Sequence, residues 1–179
     1  LDLHRTPELS LQETATAGKL AALLRARGFE VAENVAGTGV VGILRNGDGP
    51  VVMLRTDLDA LPVEERTGVP YASRAVGKDD AGQAIPVMHA CGHDLHMTAW
   101  VGAATLLARA KESWRGTLVF VGQPAEEKGA GAEKMLKDGL FTRFPRPSYV
   151  VALHVTPELA AGEVGVTPGP AFASVDSVD

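Results

Sequence analysis

Three short apolar runs in this chain each lead into side chains that can do chemistry. Val51–Leu54 runs into Asp57 and Asp59, Leu118–Val121 into Glu126 and Glu127, and Tyr149–Leu153 into His154. Runs of this length, rich in Val and Leu, read as buried strands. The segments between them have helical character. Thr98–Ala110 is rich in Ala and Leu, and Ala132–Lys137 is followed by a terminating Gly139. Strands alternating with helices predict an α/β fold: a mostly parallel sheet flanked by helices. In such sheets ligand-binding groups gather at the carboxyl ends of the strands. The order of elements alone therefore brings the three groups towards one edge.

The remaining pattern fills in the domain. Ser10-Leu11-Gln12-Glu13 has the form of a capping box. It predicts a helix to about Arg27 with Leu20, Leu23 and Leu24 on the buried face, ended by Gly28. Val40–Leu44 reads as a strand joined to Val51–Leu54 by a hairpin turn at Asn46-Gly47-Asp48-Gly49. Val164–Val166 and Ala171–Val178 read as further strands. Asp57–Met88 is irregular and rich in Gly, Pro and charge, and a loop this long is usually functional. Gly37-Thr38-Gly39-Val40-Val41-Gly42 matches G-x-G-x-x-G, but a strand and a turn follow where a dinucleotide site needs a helix.

Composition excludes several classes. A net charge of −5 gives no basic stripe for nucleic acid. No apolar run approaches a membrane span, and no secretory signal is visible. A single Cys cannot form an internal disulfide, which predicts a reducing, cytoplasmic setting.

That Cys lies in the densest stretch of the chain, His89-Ala90-Cys91-Gly92-His93-Asp94-Leu95-His96. Three of the five His and the only Cys fall there. Thiolate and imidazole are ligands for Zn²⁺ and its neighbours in the first transition row. Cys91 and His93 flank Gly92, and in turn or extended backbone both can reach one ion. The plainer alternative is a buried Cys beside residues that cap a helix. His96, three residues on, is either a ligand or a group that orients one. His89 receives no role, and His4, ahead of the first helix, a structural one. The adjacent Glu126 and Glu127 point in different directions, so one can bind metal while the other serves as general base. His154 is the best remaining ligand. Asp57 is placed to orient a ligand imidazole through its second nitrogen, and Asp59 shares its face.

Together these blocks resemble the M20 family of metallopeptidases and amidohydrolases, in its aminoacylase-like branch of hippurate and indole-acetyl-amino-acid hydrolases. The resemblance rests on Leu3–Leu9, Leu54–Pro62, Pro86–His96, Gln123–Glu127, Lys134–Phe141, Leu153–Val155 and Gly165–Pro170, in the family's order. It implies a zinc-exopeptidase-like catalytic domain interrupted by a lid domain that usually dimerises. Residues 1–167 would be the first part of the catalytic domain, and 168–179 the start of a lid that is otherwise absent. It also implies two divalent ions (Zn, Mn, Co or Ni) and hydrolysis of small N-acyl amino acids. Cys91 would bridge the ions, with His93, Glu127 and His154 as further ligands. Glu126 would be the general base, and Asp57 would support a ligand. Arg55 stands where other branches have a metal-binding His. The chain is much shorter than members of the family, and a further metal-binding His of the family's C-terminal part has no counterpart here. The alternative reading is a non-catalytic metal-binding fragment that needs a partner segment.

Overall fold

Val119 and Phe120 are adjacent in sequence, both fully buried, and belong to two different cores. That is the mark of a strand covered on both faces. The computed structural model describes residues 1–170. Its main sheet has the order β1 (Glu30–Val35), β2 (Gly39–Asn46), β6 (Gly116–Gln123), β3 (Val51–Asp57), β7 (Tyr149–Ala152). Leu118 and Phe120 of β6 pack with Leu20, Leu24, Met97 and Trp100 from α2 (Thr14–Arg25) and α3 (His93–Arg109). Val119 and Val121 pack with Met135 of α4 (Gly131–Lys137) and Leu140 of α5 (Leu140–Arg143) on the opposite face. A four-residue helix, α1 (Asp2–Arg5), opens the chain, and a small hairpin of β4 (Val76–Lys78) and β5 (Ala84–Pro86) lies within the long loop.

The helix-flanked sheet is as expected, but it is mixed. β3 runs parallel to both β6 and β7, whereas β2 runs antiparallel to β6 and to β1. The expected hairpin between β2 and β3 does not form. The chain turns at Asn46–Pro50, yet β6 inserts between the two strands and pairs with each of them. β6 offers apolar side chains to both cores, so it gains more at the centre than at an edge. β1 was not anticipated, because its sequence Glu-Val-Ala-Glu-Asn-Val carries no clean alternation and is largely solvent-facing.

Two other expectations are corrected. Helix α2 starts at Thr14, and Ser10 does not cap it; its hydroxyl instead donates to Asp59 at 2.6 Å. Val164–Val166 has no regular structure and is exposed. Ala171–Val178 falls outside the described residues. Helix α3 begins at His93, earlier than expected. Its buried stripe is His93, His96, Met97, Trp100 and Ala104, so the imidazoles occupy core-facing positions of its first turn. No helix among the described residues is long and apolar enough to cross a membrane.

The helices fix where the site lies. α3 and α4 cover opposite faces, so the connections leaving the neighbouring strands β3 and β6 part to opposite sides. A crevice opens between the carboxyl ends of such strands.

His4 locks the N-terminal segment onto this frame. Its Nδ1 lies 2.9 Å from Asp94 Oδ2 and its Nε2 3.2 Å from Glu65 Oε1. Burial alone would lower the pKa of the ring, but the two carboxylates outweigh it and hold the pKa above the ordinary 6.5. A raised folded-state pKa stabilises fully below the unfolded value and is lost as pH rises through the folded one. Stability should therefore fall as pH rises above about 6.5 and through the folded-state pKa, and His4→Phe should flatten that slope. Urea midpoints across the range test this; an unchanged slope in the variant would sink it.

The sheet ends at an open edge. Every residue of β7 is exposed, with Val150 and Val151 at 59% and 53%. Among the described residues no strand pairs with its outer side. Unpaired apolar edges recruit other strands. The 179-residue chain is expected to self-associate through β7, and Val151→Lys to reduce that association in sedimentation velocity. Identical profiles for the two proteins would exclude this edge as the contact.

Candidate metal centre

Asp59 sits just past β3, with no solvent exposure. Its Oδ1 accepts the backbone N–H of Glu126 at 3.1 Å, and its Oδ2 that of Glu127 at 3.0 Å as well as the Ser10 hydroxyl. Its own carbonyl accepts His93 Nδ1–H at 2.7 Å. One residue thus fixes the double-Glu turn after β6 and the first imidazole of α3. Burial pushes the Asp59 pKa up, but the hydrogen bonds from His93, Ser10 and the two amides leave it lowered.

Glu13 holds the same turn from behind. It is fully buried, and its Oε1 accepts the N–H of Ala125 at 2.8 Å and of Leu11 at 2.9 Å. Its Oε2 accepts the Thr38 hydroxyl at 2.5 Å. Ala125 and Leu11 both carry positive φ, +46° and +67°, which costs a non-glycine residue free energy. Two amide bonds to a carboxylate offset that cost. A Cβ at Gly131, where the turn passes into α4, would collide with the carbonyl of Pro124.

The imidazoles are set for metal. His93 gives Nδ1–H to Asp59, which leaves a lone pair on Nε2. That nitrogen is buried with no partner, and so is Glu127 Oε1, 3.6 Å away. Glu126 Oε2 is 3.8 Å and Asp57 Oδ2 3.7 Å from the same nitrogen. His154 gives Nδ1–H to the carbonyl of Val155 at 2.7 Å and turns Nε2 to Cys91 Sγ at 3.3 Å. In both rings one nitrogen is fixed by a carbonyl; the other is without a partner in His93 and faces the Cys91 sulfur, itself a ligand atom, in His154, the usual preparation of a metal-binding His. Cys91, His93 and His154 offer ligand atoms within 4.8 Å of one another, and so do His93, Glu126 and Glu127. His93 belongs to both sets.

Asp57, His93 and His96 form a third such set, in which His96 has no nitrogen to spare. His96 Nδ1 donates to Asp57 Oδ1 at 2.8 Å and its Nε2 accepts the Val155 N–H at 3.0 Å, so both nitrogens are already engaged. His96 thus orients Asp57 and the segment that carries His154. Arg55 donates to Asp57 Oδ2, the oxygen towards His93, at 2.8 Å and to Gln123 Oε1 at 3.0 Å. Burial raises the Asp57 pKa; the His96 bond, with the charges of His93 and Arg55, outweighs it and brings it down to about 2.

The donor set calls for a cation. Asp57, Asp59, Glu126 and Glu127 crowd around one imidazole. Burial first, then the carboxylates of Glu127 and Glu126, push the Cys91 thiol up to about 11. Burial raises Glu127 as well. Thiol, imidazole and carboxylate together suit a borderline divalent ion. Gly92, at φ +76° between Cys91 and His93, makes the turn, and a Cβ there would strike Val155.

The structure therefore brings Asp57, Cys91, His93, Glu126, Glu127 and His154 to one crevice. The sequence pattern left Asp59 with no assigned part and missed Glu13 altogether. The signal for Asp59 was present in its alternation with Asp57. Glu13 was hidden in an apparent capping box. Asp59→Asn removes one acceptor from the turn and is expected to weaken metal affinity by roughly 10–100-fold while the fold persists. Competitive chelator titration reads this directly; wild-type affinity would show that the turn holds without Asp59.

Residues 53–178 match the model of peptidase family M20/M25/M40. The chain is 42% identical over 175 residues to an N-acetyl-L-cysteine deacetylase of Bacillus subtilis, covering 97% of this chain and 39% of that protein. It is 40% identical over 176 residues to a hippurate hydrolase of Campylobacter jejuni, covering 98% and 43%. A solved Bacillus subtilis structure, described as a dinuclear metal-binding peptidase of the M20 family, superposes with a TM-score of 0.82 at 38% identity, covering 94% and 44%. The chain spans about two fifths of the length of these relatives. It belongs to peptidase family M20/M25/M40.

Proposed function

We propose that residues 1–167 form the first part of the catalytic domain of an amidohydrolase acting on N-acyl amino acids, with 168–179 leading into a lid domain. The observation that carries this reading is a pair of imidazole Nε2 atoms, that of His93, which has no partner, and that of His154, which faces the Cys91 sulfur. They share one crevice with a thiol, an unpartnered Glu127 oxygen and a second, more exposed carboxylate. Two relatives, a deacetylase of N-acetylcysteine and a hydrolase of hippurate, are named for acylated amino acids.

Cys91, His93, Glu127 and His154 would hold two divalent ions of the Zn, Mn, Co or Ni type. Such ions supply Lewis acidity that polarises the acyl carbonyl and lowers the pKa of water. The two glutamates differ in setting. The Glu127 side chain is 20% exposed with Oε1 buried, whereas Glu126 is 39% exposed. The first suits a fixed ligand, the second a carboxylate that moves a proton. Glu126 takes a proton from the attacking water and returns it to the amine nitrogen as the amide C–N bond breaks. The products are a free amino acid and a carboxylate.

A second reading is a metal-binding fragment completed by a partner segment, and the open edge of β7 favours it. Metal stoichiometry separates the two. Two tightly held ions with turnover support the hydrolase, and one ion or none without turnover supports the fragment. Glu126→Gln is expected to keep both ions and lose at least about 100-fold in the hydrolysis of N-acetyl and N-benzoyl amino acids. Undiminished rates would remove Glu126 from the role of base.

A further inference from the structure

Three carboxylate oxygens stand at nearly equal distances from the unpartnered Nε2 of His93: Glu127 Oε1 at 3.6 Å, Asp57 Oδ2 at 3.7 Å and Glu126 Oε2 at 3.8 Å. Distance alone does not choose among them as ligands. Their existing partners do. Glu127 Oε1 is buried and has no partner. Asp57 Oδ2 already accepts Arg55 NH1 at 2.8 Å, and Asp57 Oδ1 accepts His96 Nδ1 at 2.8 Å. The Asp57 side chain is 1% exposed, so water cannot take the place of either partner.

Arg55 is held for this contact. It lies two residues before Asp57 on β3, so the two side chains leave the same face of the strand. Its Nε donates to Gln123 Oε1 at 3.0 Å, and Gln123 is the β6 residue paired with Asp57. The guanidinium is thus clamped from two neighbouring strands. It stays charged at any working pH, and its planar fork keeps its direction. Asp57 Oδ2 retains a lone pair beyond the one that Arg55 uses, but a divalent ion placed there would lie beside a permanent cation. Glu127 carries no such burden, since the adjacent Lys128 turns away to the carboxylate of Asp80.

We infer that Arg55 is a positioning residue that keeps Asp57 out of the metal shell and so directs an ion held by His93 towards Glu127 and Cys91. This rests on the metal-centre reading and adds to it what decides among the carboxylates. Without the guanidinium, Asp57 Oδ2 and His93 Nε2 would be two buried electron-pair donors with no other claim on either, a ligand pair in its own right.

The test is a thermodynamic cycle between Arg55 and Asp57, read as Co²⁺ affinity by chelator competition on the 179-residue chain. Arg55→Leu should bind Co²⁺ roughly tenfold more tightly than the parent. Its cobalt absorption bands should weaken, because a further oxygen ligand moves cobalt away from four-coordinate geometry. In an Asp57→Asn background the same substitution should change affinity by no more than about twofold. A gain that persists in that background means that Arg55 acts only through its charge on the whole site, which overturns the inference. So does an Arg55→Leu variant that binds no more tightly than the parent. Should the variants fail to fold, the cobalt-loaded parent decides alone. Anomalous diffraction should place every ion beyond bonding distance, about 2.2 Å, of Asp57 Oδ2, and an ion bonded to that oxygen overturns the inference. A parent that takes up no cobalt sinks the metal-centre reading and this inference with it. Uptake that Arg55→Leu leaves unchanged sinks the inference alone.

Discussion

The carboxylate of Asp59 is the interaction on which the centre depends. It has no exposure, three hydrogen bonds to its oxygens, and a fourth bond to its carbonyl from His93. Its partners come from three separate parts of the chain: the segment before α2, the turn after β6 and the first turn of α3. A buried charge is tolerable only when fully paired, and partial loss is costly. The same bonds that make the charge tolerable set the spacing between His93 and the two glutamates. Stability and site geometry are here one property, and Glu13 repeats the arrangement in the same turn, one residue earlier at Ala125.

The electrostatics follow from that packing. Helix α3 brings His93 and His96 into a core-facing stripe, and the strand ends bring carboxylates to meet them. Arg55 supplies a fixed cation at Asp57, on the oxygen that faces His93 Nε2. The remaining acids face inwards around an imidazole lone pair and a thiol. Without an ion, burial and then the carboxylates oppose formation of the Cys91 thiolate. The protein has thus built a site whose internal repulsion a divalent cation would reverse.

Much of this was legible in the residues. β3, β6 and β7 announce themselves as apolar runs ending on chemical groups, and their parallel pairing put Asp57, Glu126–Glu127 and His154 at one edge. The Cys91–His93 pair was plain from composition. Three features were not legible, each for a physical reason. β1 earns its strand geometry from pairing with β2 rather than from its own pattern, since five of its six residues are partly or fully exposed. The Asn-Gly turn gives the change of direction but not the gap that β6 fills from far along the chain. Ser10 and Glu13 look like a local capping pair, yet both serve tertiary partners, Asp59 and Ala125. Local sequence shows donors and acceptors without saying which distant group will claim them.

The two ends of the centre are not equally supported. His93 and Glu127 lie against Asp59, in the angle between buried β3, β6 and α3, and their geometry is fixed by bonds to other elements. His154 follows β7, every residue of which is exposed, and it is itself exposed. What fixes its neighbourhood is narrow: the Val155 N–H donating to His96, and the contact of Cys91 with the ring. His96 therefore does more than orient Asp57. Through one ring it joins the rigid acid cluster at the end of β3 to the backbone that presents His154. A centre that uses both imidazoles depends on that ring as a bridge beside the Cys91–His154 contact, because it is the one that reaches the backbone presenting His154.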